Sequence, residues 1–126
     1  MDQALNDINQ AISIDPKNTL FYDNRSYLWR KIENYTNAID DYSVIIDIYP
    51  DNIKALINRA FCFAKIEDYL NAVNDYSTVL NLEPNNTHAL YNRAISYDKL
   101  GEINEVIFRN KINSNLYIRQ SLIFPK

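Results

Sequence analysis

Three asparagines and three lysines recur at one fixed interval. Asn24, Asn58 and Asn92 stand 34 residues apart, and so do Lys31, Lys65 and Lys99. An asparagine amide carries both a donor and an acceptor, so a row of them can grip a peptide backbone whatever its sequence. Lysine supplies positive charge for carboxylates. Between the two rows recurs an apolar position, Tyr27, Phe61 and Ile95, which offers contact area with little entropy to lose. Residues 24, 27 and 31 are spaced i, i+3, i+7, which puts them on one side of a helix. This is the chemistry of holding a chain, not of making or breaking bonds. The residues for the latter are missing as a set. His88 and Cys62 are the single histidine and single cysteine, too few for a His/Cys metal site or a thiol triad. Asp40 and Asp41 are neighbours in sequence and therefore face different sides of a helix. The one glycine, Gly101, cannot build a phosphate-cradling loop, which needs several. The expectation is no enzyme, no cofactor and no metal.

Charge and hydropathy exclude further classes. Thirteen Lys+Arg stand against 16 Asp+Glu, a net charge of −3, and a nucleic-acid binder needs a basic footprint. No apolar run approaches the ~18–20 residues that span a bilayer, and Met1-Asp2-Gln3 does not open like a signal peptide. A lone cysteine forms no internal disulfide, which suits a reducing, cytoplasmic setting. The expected partner is thus a protein or peptide, with neither nucleic acid nor membrane.

The elements that must carry these residues follow from the same interval. Pro16, Pro50 and Pro84 are spaced by it, and residues 19–52 match 53–86 at 13 of 34 positions. Within a unit, Tyr22, Ser26 and Trp29 lie at i, i+4, i+7, as do Leu56, Ala60 and Phe63, and Leu90, Ala94 and Tyr97. A large, a small and an aromatic residue on one face fit two helices crossing closely over the small one. Ala38, Tyr42, Ile45 and Ile46 form the apolar face of a second helix. A short turn (Glu33-Asn34-Tyr35, Glu67-Asp68-Tyr69, Gly101-Glu102-Ile103) joins the two, and Pro followed by Asp-Asn or Asn-Asn stops one unit and caps the next. The fold class is all-α: an α-solenoid of stacked antiparallel helix hairpins in 34-residue repeats. Helices are expected near 2–14, 19–32, 36–48, 53–66, 70–82, 87–100 and 103–112. The buried set is expected to include Tyr22, Trp29, Ala38, Tyr42, Leu56, Phe63, Ala72, Tyr76, Leu90 and Tyr97.

With period, slots and turn agreeing, roughly residues 1–107 resemble the tetratricopeptide repeat, in the Asn-Arg-Ser/Ala variant common in chaperone-associated members. The units are a half repeat (1–18, second helix alone), 19–52, 53–86, a degenerate unit at 87–112, and 113–126. That last stretch, an irregular tail or capping segment, is read either as a capping helix or as disorder. The half repeat lacks the first helix that would cover Leu5, Ile8 and Ile12, as in a fragment of a longer chain or a helix that pairs with a second chain.

The resemblance implies binding of an extended or helical peptide segment in the groove lined by the first helices, as an adaptor or co-chaperone-like scaffold. The candidate groove residues are Asn24, Tyr27, Lys31, Lys54, Asn58, Phe61, Lys65, His88, Asn92, Ile95 and Lys99. Chaperone-tail binders of the family grip a terminal carboxylate with a clamp of Lys, Asn and Arg. Asn24 and Lys54 fall in clamp slots, Asn58 occupies the Arg slot, and the unit for the remaining positions has no first helix. The partner is then acidic or carries a free C-terminal carboxylate. The alternative is a structural element, a spacer or self-associating fragment with no ligand of its own. The recurring arginines Arg25, Arg59 and Arg93 and acids Asp7, Asp41 and Asp75 admit two pairings. Pairing between units (Asp7–Arg25, Asp41–Arg59, Asp75–Arg93) uses every member and is the one expected.

Overall fold

A computed structural model describes residues 2–123. Six helices follow one another: α1 (Asp2–Ile14), α2 (Thr19–Lys31), α3 (Tyr35–Ile48), α4 (Ile53–Lys65), α5 (Tyr69–Leu82) and α6 (Thr87–Ile123). No strand occurs among the described residues. Each helix packs on the next, α2 against α3 and α4 against α5 as hairpins, with α3·α4 and α5·α6 as the contacts between hairpins. The result is the expected helical-repeat solenoid.

Local sequence sets the boundaries. Asn18, Asn34, Asn52, Asp68 and Asn86 precede α2 to α6, and each side chain accepts a backbone N–H from the first turn of the helix it caps. The turns inside the hairpins pass through Glu33 (φ 59°) and Glu67 (φ 62°), left-handed residues just past the ends of α2 and α4. At the close crossings Ala38, Ala60 and Ala72 are wholly buried, since a larger side chain would hold the helices apart. Tyr42 and Tyr76 fill the space beside them. Tyr22 is buried too, and its hydroxyl donates to the Pro16 carbonyl at 2.8 Å, tying α2 to the preceding turn. Trp29 and Phe63 are half-buried at the edge of the core.

The fourth unit departs from expectation. The two helices expected at 87–100 and 103–112 are one helix, which takes in Gly101 without a turn and carries residues 113–123 of the expected irregular tail. Residues 124–126 lie outside the described part. Three substitutions explain the missing fold-back. The cap slot held by Asn34 and Asp68 contains Glu102, a poor N-cap. The buried Ala slot holds Val106, and the buried Tyr slot holds Asn110. A hairpin closed here would have no cap, no close crossing and a polar core. Gly101 suits the left-handed turn best of the three residues in its slot, so packing and capping outweigh its backbone freedom. Without the returning helix, Leu90 and Tyr97, expected in the core, are 43% and 53% exposed, and Ala94 is exposed as well.

The ion pairs run the other way from the expected scheme. None of the three between-unit pairs forms; Arg25 meets Asp41 and Arg59 meets Asp75, each within its own hairpin. The guanidinium has two usable edges. Its Nε–Nη2 edge makes a two-pronged bond to the carboxylate, 3.0 and 2.6 Å for Arg25 and 2.8 and 2.7 Å for Arg59. Nη1 then reaches back to the preceding hairpin, to Asn9 Oδ1 from Arg25 (2.9 Å), Ser43 Oγ from Arg59 (3.1 Å) and Ser77 Oγ from Arg93 (3.2 Å). The stitching between hairpins is real, but a neutral side chain receives it. Arg93 keeps only that half, because its own acid slot holds Arg109, which pairs with Glu105.

Burial pushes the Asp41 carboxyl up, and Arg25 pulls it back down. Asp41 in turn strengthens the hold of Arg25 on its proton. Desolvation therefore offsets much of the attraction, and removing one partner costs more than the pair contributes. Arg59→Leu should lower stability by about 3 kcal/mol by stranding Asp75, whereas Arg93→Leu, with no carboxylate to strand, should cost less than about 1 kcal/mol. Urea unfolding of the two variants checks this; equal losses would refute it.

Candidate functional site

Helices α2, α4 and the first half of α6 occupy equivalent places in successive units, because each unit repeats the last. The residues opposite the core on these helices form three shallow depressions that share walls. The first is lined by Asn24, Tyr27, Lys54 and Asn58, together with Asp23, Arg30 and Tyr42. The second holds Tyr27, Lys31 and Phe61 with Arg30 and Tyr35. In the third lie Phe61, Lys65, Asn92, Ile95 and Lys99, beside Ala64, Tyr69, Tyr76 and Ser96. Tyr27 and Phe61 are the shared walls, so the depressions make one strip. His88 is exposed but lines none of the three; its carbonyl accepts from Asn92 Nδ2 at 2.8 Å.

The rows are not equally free. Asn24 is exposed, whereas Asn58 and Asn92 are half-buried. Asn92 spends one amide donor within its own helix, and Asn58 Oδ1 receives a long contact from Arg30 Nη1 at 3.5 Å. Lys31 and Lys65 lie 5.5 and 5.4 Å from the rings of Tyr27 and Phe61, four residues earlier on the same helix. These cation–π contacts lay the lysine stems along the aromatic row and hold the charges at its edge. Lys99 pairs at 3.7 Å with Glu102. Lys54, in the clamp's Lys slot, reaches Asp23 at 3.4 Å and is thus partly neutralised. The surface combines amides, aromatic faces and ammonium groups.

Arg30 is the residue that periodicity does not reveal. Its slot holds Ala64 and Asp98 in the next copies, so no pattern marks it. It stacks 4.9 Å over the Phe61 ring, Nη1 lies 3.4 Å from the Tyr42 hydroxyl, and its buried Nε has no partner. Among the described residues no carboxylate reaches it, so it adds uncompensated positive charge between the first two depressions. Tyr35, edge-on to Phe61 with ring centroids 6.2 Å apart, closes the second depression. No group of three potential metal ligands occurs among the described residues, and no described helix is long and apolar enough to cross a membrane.

No protein-family model and no curated protein matches the chain. Solved structures do. The first tetratricopeptide-repeat domain of Spaghetti (RPAP3), bound to the HSP90 peptide SRMEEVD, is 24% identical with a TM-score of 0.71, over 79% of this chain and 79% of that one. The second such domain of human RPAP3, in complex with the HSP70 peptide SGPTIEEVD, is 27% identical with a TM-score of 0.66, over 74% and 78%. A tetratricopeptide repeat protein from Parabacteroides merdae is 24% identical with a TM-score of 0.73, over 90% and 45%. The chain has the tetratricopeptide-repeat fold.

Cys62 sits behind the strip, buried where α4 meets the α2–α3 core. Burial pushes its thiol up to about 11, with Arg30 opposing the shift. A thiol held neutral when folded but free to ionise when unfolded favours the folded state below the unfolded value. That advantage is lost as pH climbs from about 9 towards 11. Ellman's reagent should leave native Cys62 unmodified at pH 8 and react on unfolding; rapid native reaction would contradict the burial.

Proposed function

We propose that this tetratricopeptide-repeat domain is an adaptor or co-chaperone-like scaffold that holds an extended or helical segment of a partner protein in the strip lined by α2, α4 and the first half of α6. The observation that carries the reading is that Asn24, Asn58 and Asn92 line the same run of adjoining depressions as Tyr27, Phe61 and Ile95. Backbone-directed amides fix the chain, the apolar row contacts its side chains, and the lysines with Arg30 favour acidic residues. The peptides named for the RPAP3 domains, SRMEEVD and SGPTIEEVD, are acidic in this sense. Only Asn24 and Lys54 fall in the slots of the family's carboxylate clamp, and Lys54 is drawn to Asp23. Acidic side chains are therefore favoured over the terminal carboxylate as the anchor. A reducing, cytoplasmic location suits the single thiol.

SRMEEVD and the same peptide with an amidated C-terminus, labelled for fluorescence anisotropy, separate the two anchors. Both should bind, with amidation costing little, and affinity should fall with added salt. Asn24→Ala, Asn58→Ala and Asn92→Ala together should weaken binding about tenfold or more, since three hydrogen bonds each contribute roughly 0.5–1.5 kcal/mol. The melting temperature should hardly move. A large drop in melting temperature would make the asparagine row structural. Strict dependence on the free carboxylate would restore the clamp.

A further inference from the structure

The cations of the strip are not equivalent. Lys54 is drawn to Asp23 at 3.4 Å and Lys99 to Glu102 at 3.7 Å, so both are partly neutralised. Lys31 and Lys65 are exposed, and water and salt screen charges so placed. Arg30 is half-buried. Its guanidinium lies 4.9 Å from the centre of the Phe61 ring, a contact that holds the group in place. A guanidinium is also hydrated more weakly than an ammonium, so handing it to a carboxylate displaces less tightly held water. Arg30 is the cation best prepared to receive an anion.

Its own hydrogen bonds leave it under-used. Nη1 makes two long contacts, 3.4 Å to the Tyr42 hydroxyl and 3.5 Å to Asn58 Oδ1. Nε is buried without a partner, and Nη2 meets none among the described residues. Arg25 and Arg59, by contrast, each hold an aspartate through two bonds. Asp23 lines the first depression beside Arg30, yet its carboxylate turns to Lys54. Unmet donors on a half-buried cation are costly to the free chain, and a ligand that meets them recovers the cost.

The repeat confines this chemistry to one position. The slot of Arg30 holds Ala64 in the next unit, where it lines the third depression beside Tyr69, Tyr76 and Ile95. Arg30 stands at the equivalent place between the first and second depressions. We infer that Arg30 is the residue that selects an acidic side chain: one Asp or Glu carboxylate of the bound segment meets the Nη1–Nη2 end of its guanidinium. The carboxylate replaces the two long Nη1 contacts with a charge-assisted pair of bonds. Asn58 Oδ1, released by Arg30, is then free to accept a backbone N–H of the same segment. The inference rests on the peptide-binding reading above and adds the residue that sets its preference.

Changing peptide and protein together tests it on the full chain. SRMEEVD and its single replacements SRMQEVD, SRMEQVD and SRMEEVN are titrated by fluorescence anisotropy against the wild type and Arg30→Met. Methionine keeps an apolar stem over Phe61 and removes the charge. One of the three replacements should weaken binding to the wild type about tenfold or more, the worth of a charge-assisted bond. Arg30→Met should bind SRMEEVD as weakly, and should no longer distinguish it from that one replacement. A merely structural arginine would weaken all four peptides alike. Arg30→Lys, with charge but no two-pronged end, should restore only part of the discrimination. In nitrogen-15 spectra of the wild type, the Arg30 Nε–H signal, assigned by its absence from Arg30→Lys, should shift on saturation with SRMEEVD and stay put with the discriminated peptide. That readout stands even if circular dichroism shows Arg30→Met unfolded. No binding of SRMEEVD would overturn the peptide-binding reading and this inference together. Binding in which no replacement matters, or in which Arg30→Met discriminates as the wild type does, would overturn the role of Arg30 alone.

Discussion

A pair of antiparallel helices buries the surface between them and leaves its outer surfaces wet, so no hairpin in this chain is stable by itself. Everything else follows from the need to stack. The small residues at the crossings bring the helices close, the paired tyrosines fill what remains, and the arginines span three helices at once. One guanidinium edge closes a hairpin through aspartate, and the other ties that hairpin to its predecessor through asparagine or serine. The groove is a by-product of this stacking. Residues opposite the core are brought into register only because the cores repeat.

The fold was legible because so many independent slots recur at one spacing. Caps at 18, 52 and 86 and at 34 and 68, alanines at 38 and 72, and prolines at 16, 50 and 84 each repeat it. Where repetition fails, the reading fails with it. The turn expected at Gly101 rested on length and a favourable glycine. What decides the matter is the joint loss of the cap at Glu102, the alanine at Val106 and the tyrosine at Asn110, because a hairpin closes cooperatively or not at all. The arginine pairing was misread for a different reason. Counting partners favoured the scheme with none left over, but a guanidinium chooses by edge geometry, and Arg93 is simply left half-satisfied.

The candidate groove shows the same division. Its rows were visible as period, and the exposed Asn24, Tyr27 and Lys31 lie where helical geometry puts them. Their interactions were not visible. The lysine stems lying on aromatic rings, the Lys54–Asp23 contact and the position of Arg30 depend on neighbours from other helices. Arg30 in particular occurs once, and a single occurrence carries no periodic signal.

The arginine ties also set an order of disassembly. Those at Arg25 and Arg59 are closed on both edges, and the one at Arg93 is closed on a single edge. Past residue 100, the described side chains of α6 are exposed. A helix so placed relies on its own hydrogen bonds, and such helices are marginal in water. Warming therefore frays the far end of α6 first, and backbone amides there exchange with solvent while those of α3 to α5 stay protected. The loss of helix halts where α6 packs on α5, at the buried Ser96, until the whole stack opens, which makes the chain a cooperative block with a separately melting arm.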